Sequence, residues 1–328
     1  MSRDESRDPF WVRDAVARVD LGGMAVLRAT GADRIVFLHR LTTGSVQTVA
    51  VGAACRSLLL DNKGHVVGDL RICIRQDEVR LIVAATVGQG IAAALSRYAV
   101  MDDFAVAVDP EIASLALCGP RSAEALRGVG VPVPGGLDAQ GMHAEAASPF
   151  GSLWLVRSRE LGADGLWVFG TAPACSALTA GLDAAGIPAL APEVAQALSI
   201  EAGEAQVGAE ITGDTFPMEV GLAGLIDQNK GCYLGQETIV RVRDRGLVRR
   251  RLAGLRLRTE ATPAAGDAIA FEADAGAGRV TRAGRVPGQA PVALALLATT
   301  VPVGAEVQVR HGADGFAAQV VFDRPPWS

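Results

Sequence analysis

Residues 55–75 read CRSLLLDNKGHVVGDLRICIR. Two apolar runs flank the short turn Asn62-Lys63-Gly64, the pattern of a β-hairpin, because aliphatic and β-branched residues favour extended backbone and a tight turn needs a glycine. Asp69 interrupts the second run. Side chains alternate along a strand, so Asp69 shares a face with Val67 and Arg71 and opposes Gly68 and Leu70. Two readings stay open for it: an acid at the hairpin edge paired with Arg71, or a member of a polar site.

Downstream of the hairpin, EVRLIVAAT reads as a strand, GQGIAAALSRYAV as an Ala-rich helix and FAVAVD as a further strand. Residues 55–109 therefore predict a compact sheet with one helix packed on it. Upstream, MAVLRA over residues 24–29 is a short strand. It leads into TGADRIVFLHRLTTGSV, where Thr30 is a cap and Ile35, Phe37, Leu38 and Leu41 recur at mostly helical spacing. A second alternation runs through SLALCG, PRSAEALRGVG, SLWLVRS, GLWVFG and APACSALTAGLDAAG. It predicts a second α+β unit over the 110s to 190s, whose opening strand and helix are residues 24–41. After Arg251 the texture changes to LAGLRLR, DAIAFEA, AGRVTRAG, VALALLA and AEVQVRH, short strands divided by Gly, Pro and Asp turns. That is a small all-β domain, a barrel or a sandwich.

The totals narrow the function classes. The chain has 328 residues, long enough for two or three domains, and 49% hydrophobic with 20% charged residues predicts a globular, rather apolar protein. A net charge of -5 argues against a surface that tracks nucleic acid throughout. No apolar run reaches the ~20 residues that span a bilayer. The start, MSRDESRDPFW, carries both charges and no apolar core, so it reads as a disordered leader rather than a signal peptide or anchor; DRPPWS reads as a polar tail. The five cysteines, Cys55, Cys73, Cys118, Cys175 and Cys232, are scattered without a CxxC pair. They fit a reducing, cytoplasmic compartment and exclude a disulfide framework or a zinc or iron–sulfur site made by this chain alone. Four scattered histidines predict no metal catalyst.

One stretch concentrates chemistry. Residues 229–237, NKGCYLGQE, place the thiol of Cys232 between Lys230 and Tyr233 in a glycine-rich turn. The lysine charge and the backbone N–H groups of such a turn both favour thiolate. An activated, accessible thiol suits redox exchange, sulfur handling or transient iron ligation, while an isolated cysteine in a turn is more often inert. The following GQETIVRV fits a helix or a strand equally well. Arg241, Arg243, Arg245 and Arg249–Arg251 then form a basic run, either a solvated face and linker or a patch for an anionic tail, a protein partner or RNA. With aromatics at 5%, RNA ranks last and nucleic acid is not expected as a partner.

Three segments together resemble the YgfZ family, folate-binding relatives of the glycine-cleavage T-protein (aminomethyltransferase). They are LSIEAGEAQVGAEITGDTFPMEVGL, IDQNKGCYLGQETIVRVRDRGLVRRRL and LLLDNKGHVVGDLRI. Residues 230–237 match the family's K-G-C-Y-x-G-Q-E signature at every fixed position. The resemblance implies two ferredoxin-like α+β units, one inserted in the other, followed by a small C-terminal β-barrel. The folate-binding region would span 12–248 with 55–109 as the insert, and the barrel 249–324. It further implies tetrahydrofolate or a derivative as cofactor, iron–sulfur client or assembly proteins as partners, and a role in their assembly or repair.

A pterin presents a ring N–H beside an amine, which one carboxylate accepts in a fork. The resemblance gives that role to Glu201, with Glu204 and Glu219 as fallbacks. It sets Tyr233, Gln236 and Arg241 beside the ligand; Met101, Met218 and Trp167 are candidate apolar walls, with core packing the default reading for all three. It makes Cys232 the functional thiol with Lys230 as its activator, and Asp69 the acid of the reaction centre. T-proteins carry a pair of acids where this chain has Gly68-Asp69, so little aminomethyl transfer is expected. The alternative is a folate-dependent aminomethyltransferase or demethylase.

Overall fold

The structure is a computed structural model that describes residues 11–19, 23–137, 141–159, 161–285, 288–312 and 314–323. Of the expected leader 1–11 and tail 323–328, residues 1–10 and 324–328 lie outside the described residues, while Trp11 packs against the core and Asp323 ends a strand, paired with Arg251. In chain order the elements begin with β1 (Ala17–Val19), β2 (Met24–Thr30), α1 (Arg34–Leu41), β3 (Ala54–Leu60), β4 (Val66–Ile74), β5 (Val79–Ala84), α2 (Gly88–Tyr98) and β6 (Ala105–Val108). Next come β7 (Ile112–Cys118), α3 (Ser122–Gly128), β8 (His143–Ser148), β9 (Gly151–Ser158), β10 (Gly165–Thr171), α4 (Ala172–Ala184), α5 (Pro192–Glu201) and α6 (Gln236–Asp244). The last third holds β11 (Arg250–Leu257), β12 (Ala268–Phe271), β13 (Asp274–Gly284), β14 (Val292–Ala298), β15 (Glu306–His311) and β16 (Asp314–Asp323).

The 55–75 hairpin forms as read, with β3 and β4 antiparallel and Leu58 opposite Asp69. It belongs to a five-stranded sheet of order β3-β4-β5-β2-β6. The partner of β2 corrects one expectation. Residues 24–30 pair with β5 and β6, so this strand opens the unit that contains the hairpin and not the unit of the 110s to 190s. The inserted unit therefore starts at β2, ahead of residue 55. The other sheet, of order β1-β7-β10-β9-β8, is opened instead by the short β1 on β7. Three residues of β-structure are too few to register as a strand by alternation, which is why β2 took that place in the sequence reading.

The two sheets stack face to face with helices outside. Leu27, Leu70, Ile72 and Leu81 pack under α1 and α2, while Leu153, Leu155, Leu166 and Val168 pack under α3 and α4. Between the sheets lies a third cluster containing Val26, Cys73, Ile82, Trp154, Val156, Trp167 and Phe169, joined by Leu198 of α5. Six strands, β11-β14-β13-β12-β15-β16, close into a barrel around Leu255, Val280, Ala293, Val309 and Val320. The sixth strand, β16, had no reading in the sequence, nor had α5. Barrel, α5, α6 and hairpin meet at a further core: Leu58 and Leu60 of β3 touch a cluster with Ile200, Met218, Tyr233, Ile239, Leu252 and Leu294. Each leucine fully buried there contributes roughly 1.5–3 kcal/mol. Among the described residues no helix is long and apolar enough to cross a membrane.

A cavity between two sheets and a turn on the hairpin

A cavity of about 860 Å³ opens where the inner faces of the two sheets cease to be apolar. Its wall is drawn from Arg56 of β3, Asp69 and Arg71 of β4, Trp167 of β10, Ser199 of α5, the Glu204–Val207 turn and Arg282 of the barrel. A volume of this order holds a ligand of cofactor size. The alternation expected for β4 is observed: Asp69 and Arg71 face the cavity, and Leu70 and Ile72 face the helices. Asp69 is forked on Arg56 across the hairpin, with Nε at 2.9 and 3.1 Å from its two oxygens and Nη2 at 2.5 Å from Oδ2. The edge pair expected between Asp69 and Arg71 is thus made with Arg56 instead, the diagonal neighbour on β3. Arg71 lies over the Trp167 ring at 4.4 Å and donates to the Arg157 carbonyl.

Gly68 corrects a second expectation. A Cβ on Gly68 would point at Ile91 of α2, 2.6 Å from its Cδ1. An acid at this position would enter the helix-side core and could not reach the cavity. Gly68 therefore takes no polar group out of the cavity wall.

At the far wall, α5 ends in a Schellman turn: Gly203 has φ +66°, its N–H reaches Ile200 O, and Glu204 N–H reaches Ser199 O at 3.1 Å. The turn brings Glu204 to the cavity. Glu201, the last residue of α5, is not in the described lining; its carboxylate accepts from Arg13 at 2.9 Å. Glu219 is buried and paired with Arg250 at 2.7 Å. Trp167 forms cavity wall, Met218 is core, and Met101 is 93% exposed, so it walls nothing.

The 229–237 turn sits elsewhere, on the outside of the hairpin. Gly235 takes φ +81°, and a Cβ there would lie 2.4 Å from Asp61 O in the β3–β4 turn. This close approach requires glycine. The helix α6 begins directly after it, and the buried pair Ile239 and Val242, three apart, decides for helix over strand. Lys230 donates to the carbonyls of His39, Thr42 at 2.5 Å and Gly44 at 3.0 Å, at the C-terminal end of α1. Burial lowers its pKa to about 8, with Asp227 acting in the opposite direction. Its three N–H donors are thereby engaged on the last turn of α1 and the loop that follows it rather than on the thiol. Tyr233 is buried, which pushes its phenol up to about 12, and its ring lies 5.7 Å from the Lys230 ammonium.

Cys232 is exposed, whereas Cys73, Cys118 and Cys175 are buried and Cys55 is half-buried. Burial pushes the thiols of Cys55 and Cys73 up to about 11 and about 12. Gln236 is half-buried at the start of α6, and exposed Arg241 pairs with Glu237 at 2.7 Å. Neither residue is in the described cavity lining. The end of the basic run is structural, since Arg250 pairs with Glu219 and buried Arg251 with Asp323. Among the described residues no cluster of three or more His, Cys, Asp or Glu side chains could hold a metal.

The structure thus brings one of the expected site residues, Asp69, to the cavity, together with the fallback Glu204, and gathers Lys230, Cys232 and Tyr233 in a separate turn. Arg56, Ser199 and Arg282 belong to the cavity and had no reading as site residues. The signal available for Arg56 was its charge in a strand opposite the run that holds Asp69.

Residues 3–134 match the family model described as the GCVT N-terminal domain. The chain is 26% identical over 264 residues to a chloroplastic transferase of Arabidopsis thaliana, covering 79% of this chain and 60% of the relative. It therefore spans less than two thirds of that relative's length. It is 27% identical to an aminomethyltransferase of Cupriavidus pinatubonensis, over 94% of this chain and 86% of the relative. To the tRNA-modifying protein YgfZ of Yersinia enterocolitica it is 24% identical, over 77% and 75% of the two chains. Among solved structures, aminomethyltransferase T of the Bartonella henselae glycine cleavage system superposes with a TM-score of 0.86, at 22% identity and 97% coverage of this chain. The α+β architecture with a closed barrel is the fold of that enzyme, and the likenesses as a set are to the GcvT-like superfamily.

Proposed function

We propose that this protein binds tetrahydrofolate or a derivative in the cavity between the sheets, stands on the YgfZ side of the superfamily, and supports assembly or repair of iron–sulfur proteins in the cytoplasm through Cys232. The observation that carries the ligand is the cavity itself: about 860 Å³, with an indole, two carboxylates and arginines in its wall. These residues suit a pterin, whose N–H and amine need an acceptor fork and whose ring carbonyl needs a donor. Trp167 Nε1 is a buried donor that no described acceptor satisfies. Two carboxylates compete for the fork. Glu201 is carried by the resemblance and is held by Arg13; Glu204 lines the cavity. Titrating tetrahydrofolate into Glu201→Gln and Glu204→Gln decides between them, because losing a charged hydrogen bond costs about 1.5–3 kcal/mol of affinity. No binding to the unaltered protein removes the folate reading.

A bound tetrahydrofolate supplies nitrogens that accept or donate a one-carbon unit. Asp69, forked on Arg56, is the acid this chain sets in the cavity, and it favours a second reading, folate-dependent aminomethyl transfer or demethylation. Turnover of an aminomethylated carrier protein that is lost in Asp69→Asn establishes the second reading. Iron–sulfur enzyme activities in a deletion strain, restored by the wild-type gene and not by Cys232→Ser, establish the first.

A further inference from the structure

Arg282 does more than join two domains. Strand β13 carries a bulge, a shift of register between Val280 and Arg282 against β14. Val280 and Ala283 both pack toward the barrel interior although they are three residues apart, so the bulge has exchanged the faces of the strand. In a regular strand Arg282 would follow Val280 into the apolar barrel. The bulge turns it outward, against α5 and the turn that follows.

There each nitrogen of the guanidinium meets an acceptor. Nε is 3.0 Å from both oxygens of Glu210, Nη1 is 3.0 Å from Ser199 Oγ, and Nη2 donates to Glu204 O. The Arg282 side chain is 10% exposed and Glu210 is 0% exposed. Glu210 also accepts from Gln206 N–H at 2.9 Å, which closes the turn on itself. Ser199, Glu204 and Gln206 all line the cavity. One barrel residue thus sets the position of the whole wall that Glu204 belongs to.

We propose that Arg282 is a positioning residue for the cavity's ligand: it holds the 199–210 wall in the conformation that binds, and so makes the barrel a part of the site. The ligand's identity as a folate rests on the reading above; the role of Arg282 does not. Arg282→Lys keeps the charge but offers a point ammonium that does not span the three acceptors. Binding of tetrahydrofolate by this variant is expected to weaken about tenfold with its unfolding midpoint near wild type, and amide exchange at Glu204 to accelerate while β4 and β10 keep their rates. A second variant, Arg282→Met with Glu210→Leu, leaves no buried charge alone and guards against simple unfolding. It too is expected to fold and bind weakly. Wild-type affinity and wild-type exchange at Glu204 in Arg282→Lys, or wild-type affinity in the paired variant, overturns the proposal. If the unaltered protein takes no tetrahydrofolate, the folate reading falls and the exchange measurement still decides on Arg282.

Discussion

The cavity draws its wall from β3, β4, β10, α5 and the barrel, whereas the 229–237 turn is one run of chain resting on the hairpin turn and on the end of α1. In the cavity, polar side chains are aimed inward and held by ion pairs, Arg56 on Asp69 and Arg282 on Glu210. In the turn the contacts are steric and backbone-directed. Gly235 fits under a carbonyl, and Lys230 spends its donors on three others. A contiguous motif can thus owe its residue types largely to packing, while the groups that line a ligand space are scattered along the chain. Cys232 lies on the open side of the turn, exposed like Gly231 beside it.

That contrast can be broken at the turn first. Gly235→Ala introduces a Cβ against Asp61 O and a side chain at φ +81°, and is expected to cost on the order of 3 kcal/mol in urea unfolding. A loss within about 0.5 kcal/mol refutes the steric account. Lys230→Met leaves the carbonyls of His39, Thr42 and Gly44 without their cation and is expected to cost about 1–3 kcal/mol. The rate of alkylation at Cys232 should stay the same in this variant. A slowed rate at unchanged stability instead restores the lysine as the activator of the thiol.

Acid sharpens the comparison from the side of the sheets. His143 accepts from Trp154 Nε1 at its Nδ1, 3.2 Å away, and donates from Nε2 to Ile74 O at 3.1 Å, so the neutral ring is the one that fits. Burial lowers its pKa below the ordinary value, and Arg75 and Arg80 act in the same direction against backbone hydrogen bonding. The unfolded chain then takes up a proton that the folded chain refuses. Stability from this group is whole above about pH 6.5 and is lost as pH falls below it toward the lower folded value. Urea midpoints between pH 7.5 and 5.5 are expected to decline less steeply in His143→Gln than in wild type; equal slopes discard the assignment. The smallest effect belongs to Cys232→Ser, expected to change stability by less than about 0.5 kcal/mol. Cys232 should also be the first of the five cysteines to be alkylated, checked by mass spectrometry of a timed reaction.

The sequence carried the hairpin, the faces of β4, α1 and α2 as helices and five of the barrel's strands, because each is written locally, but it assigned α1 to the other unit. β1 and the pairing of β2 were not readable, since strand partners depend on tertiary topology and not on the strand's own residues. Asp69 was legible as a charge where an apolar residue belonged. Arg282 was not: a bulge is a mismatch between two strands, and nothing in AGRVTRAG alone announces it. Glu201 illustrates the opposite limit. Its motif is clear in the chain, yet its neighbour Arg13 comes from 188 residues away.

The insertion of one unit into the other also has a consequence for the order of events during synthesis. Val19 of β1 pairs with Ala116 of β7, and the entire sheet β3-β4-β5-β2-β6 lies between them in the chain. At about 5–20 residues per second, β1 leaves the ribosome roughly 5–20 s before its partner exists. In that interval the inserted unit can complete itself, since its last strand ends at Val108. Once folded, it replaces a long flexible loop by a rigid body and removes much of the entropy that closing β1 on β7 would otherwise cost. A core lesion in the inserted unit, such as Leu70→Ala, should therefore release β1 to proteases in nascent chains while β7, β10 and β9 assemble without it.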